Sequence, residues 1–135
     1  MIYLAGFSPL SPHREEQLLQ RCQSLIPQVK ALGVQNIYFL CGADADNPQL
    51  HALIREQGDV VTPIENNQVF LVVPRLGTHS PWSSKALDIA VSSGFGVDFL
   101  EKGRVIRLQS NAEVVRDLAD LLHDRMTETL IPLTT

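Results

Sequence analysis

Arg75, Thr78, Ser80, Ser83, Ser84 and Lys85 crowd around Pro81, so two cations and four hydroxyls gather where a helix is expected to begin. The first N–H groups of a helix carry partial positive charge, and hydroxyls and cations beside them suit an anion, with phosphate the obvious guest. A plainer reading competes: Ser80 caps the helix, Lys85 is solvated and Arg75 pairs with a nearby acid such as Asp88. Trp82, the sole Trp, stands above Ala86 and Ile89 at helical spacing, which suits burial in this chain and an interface anchor equally well. Further on, His123, Asp124, Arg125 and Glu128 place polar groups along an expected last helix, either as a solvated face or as a docking surface.

Other chemistries find less support. His13, His51, His79 and His123 are scattered, without the clustered companions that a metal site needs. His79 next to Ser80, or near Ser83, has no orienting third group, which leaves a Ser–His enzyme the weakest reading. Cys22 and Cys41 lie in apolar runs, where a thiol is held protonated and inert, so neither reads as a nucleophile or as half of a disulfide framework. There is no phosphate-binding Gly-rich loop with its Lys and no carboxylate cluster for Mg²⁺, and the Gly94-Phe95-Gly96 triplet is better explained as a helix cap. A catalytic set is therefore not expected, nor a metal.

The elements that must position these residues follow from periodicity. The 135 residues, 44% hydrophobic and 19% charged, have the size and apolar content of one domain spanning 1–135. A net charge of −4 without a run of Lys and Arg argues against nucleic acid as partner. No apolar stretch reaches the roughly 20 residues of a membrane span, and the start has no leader pattern, so a soluble, cytoplasmic chain is expected. IYLAGF reads as a strand, and Ser11-Pro12 opens a helix with Leu18, Leu19, Cys22, Leu25 and Ile26 on one side until Pro27 ends it. Gly33 is expected to turn the chain into strand NIYFLC. Asn47-Pro48 starts a short helix within a rim excursion, and VFLVV reads as a central strand ended by Pro74. The Ser80-Pro81 helix follows, then VDFLEKGRVIRL as two short strands in a hairpin about Lys102-Gly103, then a helix with Val114, Val115, Leu118, Leu121, Leu122 and Met126 inward.

Strand, loop, Ser-Pro, helix, strand thus occurs twice. The expected fold is α/β of the α+β kind: a ferredoxin-like split βαβ in which two similar halves form one mostly antiparallel sheet with helices on one face. A doubly wound parallel sheet is the alternative, and it lacks enough long crossover helices.

The stretch from Pro74 to Ala90, PRLGTHSPWSSKALDIA, resembles the signature PR-x-GT-x-SPWSSKA-x-DIA of the amino-terminal, PurS-like domain of large phosphoribosylformylglycinamidine synthases, the formylglycinamide ribonucleotide amidotransferases. LHDRMTET, from Leu122 to Thr129, is similar to the string that closes that domain, and Gly6, Ser8, Pro9, Leu10, Ser11 and Arg14 match its opening. Leu76, His79 and Leu87 depart from the pattern. The resemblance implies a structural, non-catalytic part of an ATP-dependent, glutamine-using ligase of purine biosynthesis. It implies no cofactor in this domain and ATP with Mg²⁺ in the full-length enzyme. It implies the synthetase and glutaminase domains as partners, with a contact to formylglycinamide ribonucleotide. Arg75, Gly77, Thr78, Ser80, Trp82, Ser83, Ser84 and Lys85 become candidates for phosphate binding or an interface, and His123 and Arg125 for docking. The rival from another class is a free-standing anion sensor or oligomerisation module of ferredoxin-like plan.

Overall fold

A computed structural model describes residues 1–56, 58, 61, 64–75, 78–110 and 115–133. In chain order these form β1 (Ile2–Ala5), α1 (Pro12–Leu25), β2 (Val29–Cys41), α2 (Pro48–Ile54), β3 (Gln68–Pro74), α3 (Pro81–Ser92), β4 (Phe99–Ser110), α4 (Val115–Leu122) and β5 (Glu128–Pro132). The strands make one sheet in the order β1-β2-β4-β3-β5, every neighbouring pair antiparallel. The arrangement is α+β and ferredoxin-like, as the repeated pattern predicts.

The two long strands explain the doubling. β2 and β4 pair along their whole length, from Val29 opposite Ser110 to Cys41 opposite Phe99. Short β1 pairs with the C-terminal part of β2, residues 37–40, and β3 with the C-terminal part of β4, residues 104–108. The N-terminal part of each long strand is left to the helix that precedes it. A two-fold axis through the β2/β4 ladder would produce this order, exchanging β1-α1-β2-α2 with β3-α3-β4-α4 and Ser11-Pro12 with Ser80-Pro81.

Side chains alternate along a strand, so even-numbered residues of β2 and β4 share a face. That face carries both hydrophobic cores. In one, Cys22 and Ile26 beside α1 and Leu118 and Leu122 of α4 cover Leu32, Val34, Phe70, Val72, Ile106 and Leu108. In the other, Leu50 and Ile54 of α2 and Ala86 and Ala90 of α3 cover Tyr38, Leu40 and Leu100. Burying each large aliphatic side chain contributes about 1.5–3 kcal/mol, enough to hold helices too short to persist alone.

Four expectations are corrected. Lys102-Gly103 is not a turn: β4 runs straight through it, and Gly103 is buried. A Cβ there would stand 2.7 Å from the Val72 carbonyl oxygen, because β3 passes close as it leaves β4 for β5. Gly103→Ala is accordingly expected to cost about 2 kcal/mol by overpacking, seen as a lower urea midpoint with unchanged slope. Gly33 likewise lies inside β2, where Ile64 packs over it, 3.5 Å from where a Cβ would be. The final strand β5 was not foreseen; five residues ending in proline carry little strand signal. Finally, α4 ends at Leu122, so Met126 lies beyond it and is 78% exposed rather than inward. Leu118 and Leu122 are buried and Leu121 packs against them; Val114 lies outside the described residues.

Candidate functional site

The Arg75 to Lys85 stretch leaves the end of β3 and is fastened on both sides. The Arg75 N–H donates to the Thr127 carbonyl at 3.0 Å, and its guanidinium reaches the Met126 carbonyl at 3.4 Å. The Thr78 hydroxyl closes the next turn by donating to the Arg75 carbonyl at 2.5 Å. Ser80 caps α3, its hydroxyl accepting the Ser83 N–H at 3.0 Å with Pro81 at the first helical position. The same device opens α1, where the Ser11 hydroxyl accepts from the Arg14 N–H at 3.2 Å.

Ser80 also has a partner that the sequence did not reveal. Its hydroxyl donates to Glu101 Oε1 at 2.7 Å and its N–H to Oε2 at 3.2 Å, while the Lys102 N–H donates to Oε1 at 3.0 Å. Glu101 is buried, so a carboxylate of the chain itself answers the start of α3. Ser83 is buried too and donates to the Leu100 carbonyl. Ser84 and Lys85 are exposed, and Gly77 lies outside the described residues. No ion pair between Arg75 and Asp88 occurs among the described residues.

Between the two cores the even-numbered face of the sheet turns polar. Asn36 stands directly opposite Arg104, and Lys102 opposite Tyr38. The side chains of Asn36, Lys102 and Arg104 line the floor of a cleft of about 530 Å³, together with Arg75, Thr78, His79, Ser80 and Trp82 and with Met126, Thr127 and Glu128. Lys102 pairs with Glu56 at 2.9 Å, and its ammonium sits 5.3 Å from the Trp82 ring centre. Trp82 is half-buried against Tyr38, ring centres 5.5 Å apart, so it belongs in part to the second core. Arg104 grips Glu128 with two bonds of 2.8 and 3.1 Å and donates to the Leu122 carbonyl, tying β4 to the end of α4 and to β5.

Burial alone would raise the Glu128 carboxyl, but the bonds from Arg104 and the Asp124 N–H outweigh it and hold the group below its usual value. A carboxyl with a lower folded than unfolded value contributes stability above the unfolded value and loses it as pH falls through the folded one. Glu15 has the opposite sign: burial raises it, against bonds from Val34 and Ser8, so acid relieves a cost there. Glu128→Gln is expected to lose about 1 kcal/mol near neutral pH and to match the parent once acid has protonated Glu128, as read from urea melts across that range.

The remaining docking candidates lie apart from the cleft. His123 and Arg125 follow the end of α4 rather than lying on the helix. The His123 Nδ1–H donates to the Ala119 carbonyl at 2.6 Å, and Arg125 makes an exposed pair with Asp120 at 3.4 Å. Burial pushes the Cys22 thiol up, against a smaller pull from Arg21, and Cys41 is half-buried. Among the described residues no group of three His, Cys, Asp or Glu side chains is placed to hold a metal, and no helix is long and apolar enough to cross a membrane.

A family model described as formylglycinamide ribonucleotide amidotransferase N-terminal matches residues 37–134, well over half of the 135-residue chain. The chain belongs to this family. Its role is therefore in the amidotransferase of purine biosynthesis, where other domains of the same enzyme are the expected partners. In this amidotransferase N-terminal domain the two strings that carried the resemblance, Pro74 to Ala90 and Leu122 to Thr129, both contribute residues to one cleft and meet at the Arg75–Thr127 bond. Arg75, Thr78, Ser80 and Trp82 of the lining are among the candidates that the sequence offered. The floor was not foreseen, because Lys102 and Arg104 were placed in a hairpin and Asn36 at the head of a strand; polar residues standing between apolar ones at even-numbered positions were the available signal.

Proposed function

We propose that the chain is a structural, non-catalytic domain of formylglycinamide ribonucleotide amidotransferase, docking on the synthetase domain through the Arg75 to Lys85 wall and helping to shape the substrate site. The enzyme is an ATP-dependent ligase of the cytoplasm, with ATP, Mg²⁺ and the glutaminase chemistry in other domains. One observation supports this reading most: residues of the two family strings line a single cleft, yet Arg75 in its lining and Lys85 further along α3 stay exposed and make no ion pair among the described residues. Polar residues that the fold does not need, gathered at one place, suit an interface with another domain.

The test adds this chain in trans to an amidotransferase lacking the corresponding segment. Amidine formation from formylglycinamide ribonucleotide, glutamine and ATP is expected to recover. Arg75→Ala, at an exposed position, is expected to fold normally and to weaken that recovery about 30-fold, corresponding to about 2 kcal/mol of association free energy. Full activity of the shortened enzyme without the chain would sink the docking reading.

A further inference from the structure

The sheet has two faces, and the four helices cover one of them. Both cores lie on the even-numbered side, with side chains from or beside every helix. The odd-numbered side is left apolar from edge to edge: Val105, Leu71 and Ile131 make one row across it, with Ile37, Phe39 and Tyr3 toward the other edge. Tyr3 is 65% and Ile131 39% exposed, and Leu133, bonded to the Val69 carbonyl on the same side, is 49% exposed. An antiparallel sheet face that stays in water is normally polar, and a monomer seldom leaves an apolar patch of more than about 300–600 Å² bare. The two charged residues on these odd-numbered strand positions are of opposite sign and are answered within the chain. Arg107 donates to the Gln35 side-chain oxygen at 3.0 Å, and Glu101 takes the Ser80 hydroxyl. The face is therefore neutral on balance although the chain carries a net charge of −4.

The cleft used for docking has its floor on the even-numbered face, so a domain seated there leaves the opposite face bare. We propose that the odd-numbered face seats a second copy of this chain, sheet against sheet about a two-fold axis. Five strands about 4.8 Å apart make the face about 24 Å wide, and the stretch from Gly33 to Phe39 is about 20 Å long. Two such faces bury about 1,000 Å² when pressed together, the least that a specific interface needs, so the dimer is a weak one with a dissociation constant in the micromolar range. Every neighbouring strand pair is antiparallel, so a copy turned over still lays its strands along the same line, within the about 30° at which sheets pack. With the axis along β4, the central strand, β1 of each copy comes over β5 of the other, and the exposed edge at Tyr3 is matched by the exposed edge at Ile131. The absence of net charge on the face lets two acidic copies approach through it. This inference stands apart from the docking reading, because the two use opposite faces of the sheet.

Sedimentation velocity of the chain from micromolar to millimolar concentration is the experiment. A monomer–dimer equilibrium is expected, and high salt should not dissolve it, since the contact is apolar. Tyr3→Lys and Ile131→Lys, both at exposed positions that leave folding intact, are each expected to weaken the dimer about 30-fold by setting a charge in the contact. Val91→Lys is the control: Val91 is an equally exposed apolar residue, 56%, but it belongs to α3 on the helical side, and its change should leave the dimer as it was. A chain that stays monomeric throughout, a dimer that both sheet-face variants leave intact, or one that Val91→Lys dissolves would each overturn the proposal. A monomeric chain that still restores amidine formation in trans would remove the second copy and leave the docking reading standing.

Discussion

Replacing Trp82 with alanine is expected to destabilise the chain by about 3 kcal/mol, measured by urea denaturation, before any partner is considered. Trp82 stands in the first turn of α3, half-buried, with Tyr38 against one part of its ring and the Lys102 ammonium 5.3 Å from its centre. Truncating a fully buried Trp costs about 3–5 kcal/mol, and partial exposure places this one at the low end. The aromatic pair adds about 0.5–1.5 kcal/mol and the cation contact about 0.5–1 kcal/mol at exposed sites. Tyr38 is fully buried, and its hydroxyl accepts the Glu56 N–H at 3.0 Å, so losing Trp82 loosens the Tyr38, Glu56 and Lys102 linkage as well. Trp82→Phe, which keeps an aromatic ring over Tyr38, is expected to recover more than half of the loss. If Trp82→Ala is as stable as the parent, the ring belongs to an interface and not to the core. The choice that the sequence left open thus turns on a stability measurement, and Arg75 rather than Trp82 is the residue with which to test docking.

The sequence was most legible where one physical signal acted alone. Ser-Pro at both helix starts, the apolar repeats of α1 and α3, and the run VFLVV gave α1, α3 and β3, because capping and periodicity are local, although Leu25 and Ile89, read on the apolar sides, are 57% and 44% exposed. The doubled order then pointed to two similar halves in one sheet, which the β1-β2-β4-β3 order bears out. What was lost depended on contacts distant in sequence. Lys102-Gly103 looks like a turn to any local rule; it is strand because Gly103 makes room for the Val72 carbonyl, a neighbour contributed by β3. Asn36 and Arg104 form a pair only once the antiparallel register is known. The walls of the cleft were read as strings, and its floor could be read only as a surface.

Pseudo-symmetry explains why a cleft lies there at all. Each core is made where one half's helix covers its own long strand and the other half's strand pair, so the axis between them is covered by neither helix pair. The Ser80-Pro81 helix start lines this uncovered strip, as does Pro9, two residues ahead of the Ser11 cap. The halves are not equivalent in charge: near Ser80 the buried partner is Glu101, whereas near Ser11 the acid is the partly buried Glu15. One half of the axis therefore binds its helix start tightly and the other loosely.

Ser80→Ala is accordingly expected to cost about 3 kcal/mol, far more than an ordinary cap. Removing a capping hydroxyl costs about 1 kcal/mol, and the corresponding change at the exposed cap, Ser11→Ala, should cost only that. At Ser80 the same hydroxyl also donates to the buried Glu101 carboxylate at 2.7 Å, and a hydrogen bond to a charged group contributes about 1.5–3 kcal/mol. With the hydroxyl gone, Glu101 retains only the Ser80 and Lys102 N–H groups among the described residues. Ser80→Asp separates the two roles. Aspartate is as good a cap as serine, so if capping were all that mattered, this variant would be close to the parent. Its carboxylate would instead face that of Glu101 in a buried setting, and like charges there repel strongly, so it is expected to be at least as unstable as Ser80→Ala near neutral pH. Adding Glu101→Gln to Ser80→Asp removes the repulsion and should return part of the stability, a coupling that a double-mutant cycle reads directly. Equal costs for Ser11→Ala and Ser80→Ala, or a stable Ser80→Asp, would show that Glu101 does not depend on the hydroxyl and would reopen the start of α3 to an outside anion.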